Sequence, residues 1–346
     1  MKYALALVAL VSVLAMAEPV VDISGFAKAW FYMYGEEGAN PENTFRAYDW
    51  TTVKGRLSDD VYAFVGASYS SWDSDGDLQV CDAYLTMDIV PELSIKAGQF
   101  NIPLGWANCC PGGNLYFLDR AGVVSTDEFG WYSDRDLGVN LHGQFDMVGV
   151  DVGYFNGTGI HADASEFWNK EFVGKLTLDA TDWLRIAGGV GMIGQPQIDT
   201  LGTVLQEEWS SMGINAYALA DYPMSESADL IFEAEYWNFG YAGPDVDNVD
   251  EEAGMDLYAT LGVHFMLDGG FLHSIMPAVR YEMYSPQEAV TTGADRAEDN
   301  TSWIDACVNC FITPSNTLQL GIRNWSFEDE NLDGYTDMYL GWRLNY

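Results

Sequence analysis

Beyond the first seventeen residues, the hydrophobic segments of this chain alternate apolar with polar residues, and the connections between segments alternate between short and long. On 254–267, Leu257, Ala259, Leu261, Val263, Phe265 and Leu267 share one face, with Thr260, Gly262 and His264 on the other. A two-residue period belongs to a strand with one apolar side, because successive side chains of an extended chain point to opposite faces. The same reading gives sixteen strands, near 20–34, 45–57, 60–72, 78–89, 93–100, 135–146, 148–156, 170–180, 183–194, 209–222, 228–240, 254–267, 275–285, 302–313, 316–328 and 335–346. Turns such as LSDD (57–60), VPEL (90–93), DMVG (146–149) and PSNT (314–317) take turns with long polar stretches such as GEEGANPENT and PQEAVTTGADRAEDNTS. A soluble sandwich has no reason to sort its connections by length. A transmembrane barrel does, with short turns at the periplasmic side, long loops outside, and an even strand number returning both termini to the periplasm. The expected fold is therefore all-β: a 16-stranded antiparallel transmembrane β-barrel, apolar towards lipid, polar towards water, with no open edge in hydrocarbon.

The two ends of the sequence fit this expectation. MKYALALVALVSVLAMA joins one Lys, a short apolar run and an A-x-A site, which predicts a signal peptide over 1–17 and a barrel over 18–346. DMYLGWRLNY (337–346) keeps strict alternation to its last residue. It is expected to pair with the first strand and to set Tyr346 in an aromatic girdle at the periplasmic interface. The balance of 52 Asp+Glu against 15 Lys+Arg, a formal charge of −37, argues against nucleic acid as a partner. At 48% hydrophobic and 14% aromatic, the chain is too apolar for disorder. The expected location is the bacterial outer membrane, with its lipid as a partner.

The longest connection, residues 101–134, is too long for a hairpin, and insertions of that length in compact folds carry function. FRAYDWTTVKGRLSDDVYAFVGASY, DAYLTM, LSIKAGQFNIPLGW, YFLDR and RDLGVNLHGQF follow one another over residues 20–160, and together they resemble the phosphate-selective porin family. The resemblance implies a homotrimeric, 16-stranded porin, of general-diffusion or anion-preferring type. Its third loop, here 101–134, would fold into the lumen and narrow it.

Alternation puts Arg46, Lys54 and Arg56 on one face with Tyr48, Trp50 and Thr52, and phases Lys96 to the lumen as well. Arg120 of YFLDR joins this basic track through the resemblance, and Arg135, which opens RDLGV, is placed with it. Asp119, Asp127 and Glu128 are expected opposite. Other cations phased to the lumen (Lys28, Lys175, Arg185, Arg280, Arg323, Arg343) meet acids on similar faces (Asp82, Asp151, Glu233, Glu235, Glu282, Asp305, Asp337). A phosphate pore needs clustered cations to replace the anion's hydration, so these mixed signs point to weak selectivity.

DENLDGYTD sets Asp329, Asn331, Asp333 and Asp337 at EF-hand-like spacing, but Leu340 stands at the twelfth place where Glu is required. The loop reads either as a solvated acidic tip or as a Ca²⁺ site on those four residues. Ca²⁺ or Mg²⁺ bridging the acidic outer loops is the sole cofactor suggested. CVNC (307–310) has zinc-like spacing, yet positions three apart on a strand face opposite sides: Cys307 the lumen, Cys310 the lipid. Cys109 and Cys110 lie in the long insertion, where either could pair with Cys81 or serve as small apolar filler. None of the four His sits in a catalytic motif, so an enzyme is not expected. The sequence thus predicts an outer-membrane porin for passive diffusion of small hydrophilic solutes and ions, phosphate-like anions among them. The alternative is a non-conducting structural or adhesive barrel acting through acidic loops bridged by divalent cations.

Overall fold

The computed structural model describes residues 20–36, 43–71, 78–125, 135–157, 159, 170–198, 204–240, 249–285, 288–291, 300–328 and 333–346. The predicted signal peptide, Asp127, Glu128, Asp329 and Asn331 lie outside them. The strands are β1 (Val21–Met33), β2 (Asn43–Arg56), β3 (Val61–Ser70), β4 (Gln79–Val90), β5 (Leu93–Asn101), β6 (Arg135–Phe145), β7 (Val148–Phe155), β8 (Glu171–Thr181) and β9 (Leu184–Ile198). They continue as β10 (Val204–Ser225), β11 (Ala228–Phe239), β12 (Val249–Glu252), β13 (Gly254–Met266), β14 (Ser274–Ser285), β15 (Glu288–Thr291), β16 (Thr301–Thr313), β17 (Asn316–Phe327) and β18 (Thr336–Asn345).

Sixteen of these strands close one barrel in which each pairs with its neighbour in sequence, and β12 with β15 forms a separate two-stranded sheet. The sequence reading did not foresee that small sheet. β1 closes on β18 in antiparallel register, Trp30 opposite Gly341. Backbone bonds between Gly25 and Tyr346 extend the seam, at 2.8 and 2.9 Å. Closure satisfies the backbone groups of both terminal strands, as a chain immersed in hydrocarbon requires.

Burial is inverted relative to a water-soluble sheet. Leu176, Leu261, Leu320 and Leu340 on the outside are 50–61% exposed, whereas Asp256, Glu282, Asp305 and Asn309 on the inside are fully enclosed. The outer surface is thus made for lipid, and the chain is an outer-membrane barrel. No described helix is long and apolar enough to cross a membrane, so the strands do the crossing.

The described part of the long connection, 102–125, turns inward after β5 and packs against the inner wall. Within it lie α1 (Trp106–Cys109), a 3-10 turn (Gly112–Asn114) and α2 (Gly122–Ser125). Ile102 and Leu104 are wholly buried, packed with Phe100, Phe155, Val173 and Trp237 of the wall. Gly105 makes the inward bend at φ 75, and a Cβ there would meet the Trp237 ring at 2.0 Å. Only glycine suits that position.

Candidate functional site

The site is the lumen at the level of this loop, and its two sides differ. On one side the loop is bonded to the wall of β10 through β18. Glu235 of β11 receives the backbone N–H groups of Trp106 and Ala107, each at 2.7 Å. The same carboxylate accepts Asn215 Nδ2 at 2.7 Å and the Tyr258 hydroxyl at 2.9 Å. Glu233 accepts the Trp106 indole N–H at 3.1 Å. Farther round, Glu282 accepts the N–H of Gly122 at the start of α2.

Arg280 ties the middle of the loop to the same wall. Its guanidinium donates to the carbonyls of Asp119 and Arg120 at 3.4 Å and to Asp305 at 2.7 Å. Arg323 forks onto Asp305 at 2.7 and 3.1 Å and reaches Asp119 at 3.5 Å. Asn309 and Gln319 both donate to the Tyr116 carbonyl, at 3.0 and 2.6 Å. Arg343 holds the carbonyl of Leu115, Asn345 that of Gly113 and Lys28 that of Leu118. Charged donors and acceptors thereby satisfy loop backbone that would otherwise be buried without partners.

On the other side a cavity of about 600 Å³ stays open between the loop and β1, β2 and β4. It runs from Ser24 and Tyr346 towards the short-turn rim to Asp82 and Arg135 towards the long-loop rim. Phe26, Tyr48, Trp50 and Tyr84 form its strand wall; Cys109, Cys110, Pro111, Gly112 and Arg120 belong to the loop edge. Cations on this side lie on aromatic faces: Arg135 over Trp50 at 4.7 Å, Lys96 over Tyr84 at 4.8 Å and Arg46 over Tyr34 at 5.6 Å. Arg135 also meets Asp82 at 2.9 Å. Arg120 folds back on its own loop, donating to the carbonyls of Ala107 and Asn108.

Several sequence expectations change here. Arg46, Lys54 and Arg56 do share the inner face, but they form no track at one height. Ten residues at about 3.3 Å each put Arg46 and Arg56 roughly 33 Å apart along the strand. Arg56 ends β2 and pairs with Asp59 of the short turn at 2.9 Å, while Lys54 rests over Tyr62 at 4.6 Å. Neither lines the cavity. Asp119 faces Arg323 on the docked side rather than opposing a basic track. Asp333 and Asp337 are the two of the four EF-hand-like residues that the structure describes. For Asp337 the sequence reading is sharpened: it lies on the inner face of β18, where its carboxylate accepts Tyr32, Gly35 and Trp325 at 2.8, 2.9 and 2.7 Å. No cluster of three metal-ligating side chains occurs among the described residues.

All five cysteines are free thiols. Cys307 faces inward and reaches the Tyr116 carbonyl at 3.2 Å, whereas Cys81 meets Ser68 at 3.1 Å. Burial pushes the Cys110 thiol of the loop up to about 12, so it stays protonated at neutral pH.

No family model matches the sequence, and no curated protein matches it. Solved structures do match over nearly their full length. OprB of Pseudomonas putida aligns with a TM-score of 0.66 and 10% identity, covering 94% of each chain. OmpT of Vibrio cholerae, an outer membrane protein solved in a trimer form, aligns at 0.61 and 14%, covering 95% of this chain and 99% of that one. The outer membrane channel DcaP of Acinetobacter baumannii aligns at 0.59 and 14%, covering 95% and 97%. What is shared at these identities is the fold, an outer-membrane barrel.

Proposed function

We propose that this barrel is a porin, passing small hydrophilic solutes and ions by passive diffusion without catalysis. The observation that carries the reading is the cavity beside the docked loop, a partly polar space inside a closed barrel with an apolar exterior. The inner charges support weak ion selectivity. Among the described residues, Arg280 and Arg323 are paired with Glu282 and Asp305, and Arg135 with Asp82, so these three cations are offset by acids rather than left to bind phosphate. Single-channel recording of the purified protein in planar bilayers tests the reading: stepwise KCl conductance is expected, and a folded barrel that never conducts would favour a structural or adhesive role.

The outer surface supports association of copies, in keeping with the trimer implied by the sequence resemblance. Alternation points Ala27, Ala29, Ala47 and Ala67 of β1–β3 outwards, where other strands carry Leu, Met and Phe. Among them stands the Asp49 carboxylate, which accepts the hydroxyls of Thr51 and Tyr346 at 2.9 and 3.1 Å. Small side chains allow close approach of backbones, and a carboxylate is costly against lipid. Unheated gel mobility and light scattering in detergent should report a trimer that Asp49→Arg converts to monomer. Ca²⁺ or Mg²⁺ bridging of acidic outer loops remains a proposal, tested by the effect of a chelator on surface-loop proteolysis.

A further inference from the structure

We propose that the open cavity is a binding site for planar organic carboxylates, a benzoate-type solute resting its ring on the strand wall and turning its carboxylate to Arg120 and Arg135. The inference rests on the porin reading and adds a solute class to it. A water occupies about 30 Å³ of liquid, so a cavity of about 600 Å³ holds a single-ring solute with part of its hydration.

Four aromatic rings, Phe26, Tyr48, Trp50 and Tyr84, line the strand wall. Tyr48 tilts against Phe26 with centroids 5.7 Å apart, and Tyr84 stacks on Phe64 at 4.7 Å, so the rings are held by neighbours. The loop edge Pro111-Gly112-Gly113 closes one end of the cavity, with Gly112 directly against the Phe26 ring, where an added Cβ would stand 2.5 Å from it. The open space therefore lies beside Tyr48, Trp50 and Tyr84, which favours a solute carrying a ring.

Among the described residues lining the cavity, the side-chain charges are Arg120, Arg135 and Asp82; Arg135 is paired with Asp82 and Arg120 with the carbonyls of Ala107 and Asn108, so a solute carboxylate would share these guanidinium groups with those partners. A guanidinium matches a carboxylate in plane and can bind it through two parallel N–H groups. Aromatic rings pair with another ring edge-to-face or offset. Inorganic phosphate fits poorly, because it is hydrated on every side and the ring wall has few donors to replace that water. A solute with one anionic end and one π face uses both parts of the site.

The test is block of KCl current through the purified protein by benzoate, cyclohexanecarboxylate and inorganic phosphate added in turn. Benzoate is expected to block at millimolar concentration, with the other two weaker by about fivefold or more, the size of one ring–ring contact. Trp50→Leu should weaken benzoate block by a similar factor while Trp50→Phe largely retains it. Heat-modifiable gel mobility confirms that each variant is folded, and Tyr84→Leu gives a second reading at the same wall. Equal block by benzoate and cyclohexanecarboxylate, or block by phosphate at least as strong, would overturn the assignment. So would Trp50→Leu and Tyr84→Leu both leaving benzoate block unchanged. Absence of any KCl conductance from the folded wild-type barrel would instead overturn the porin reading itself.

Discussion

Glu235 and Arg135 are both charged side chains inside one barrel, yet Glu235 is 1% exposed beneath the loop it binds, whereas Arg135 stands at the edge of an open cavity. The contrast extends to the walls that carry them. On β10 to β17 the carboxylates point at loop N–H groups and at arginines already engaged, so their charge goes into holding 102–125 in place. On β2 to β6 the cations lie along aromatic rings beside the cavity, where they set the field a passing solute meets. Changes on the first wall should alter architecture; changes on the second should alter selectivity.

The largest effect is expected from removing the docked element itself. Deleting 106–130 should raise single-channel conductance severalfold, since it clears the lumen beside the existing cavity; an unchanged conductance would mean that the loop does not limit flow. Next in size is Glu235→Ala, which strands two backbone N–H groups, the Tyr258 hydroxyl and Asn215 in an enclosed site. At about 1 kcal/mol, the low end for an unpaired buried group, four such groups give a loss of roughly 4 kcal/mol, measured as a lowered denaturation midpoint with noisier open-channel current. A stable, quiet Glu235→Ala channel would show that the wall does not need its carboxylates.

The open wall should respond more gently and in sign. Arg135→Ala is expected to move the zero-current potential in a KCl gradient towards cation preference, and Asp82→Asn towards anions, with conductance little changed. Equal shifts from Glu233→Gln would erase the distinction between walls. The smallest effect belongs to Arg56→Ala. Its partnership with Asp59 lies at the solvent rim, with side chains 47% and 93% exposed, so about 0.5 kcal/mol or less and no measurable change in selectivity are expected.

Much of the fold was legible because a strand's period is two and a barrel has only two faces. Thr260, His264, Glu233 and Glu235 could be assigned to the inside from alternation, and the structure has them there. Height was not legible. Alternation says that Arg46 and Arg56 share a face but not that strand length sends them to opposite rims, and tilt and stagger between strands are absent from any local pattern. Nor could alternation reach the loop, whose path depends on Gly105 entering a positive φ and on acceptors in strands far along the chain. Tyr48 and Trp50 were visible as inward-facing neighbours of the basic residues. Their meaning as a wall appeared only when Tyr84 and Phe26 were brought beside them.

The seating of the loop also fixes an order of events in assembly. Its carbonyl and N–H groups at 115–122 are met by Arg280, Glu282, Asn309, Gln319 and Arg343, which follow it in sequence by 160 to 228 residues. The seam is more distant still, with Tyr32 bonded to Asp337 across 305 residues. Closing such long spans is entropically costly and slow before the contacts that reward it exist. During synthesis the loop therefore emerges well before its seat. A chain that has not yet produced β14 carries unpaired strand edges and an insertion whose backbone partners do not yet exist.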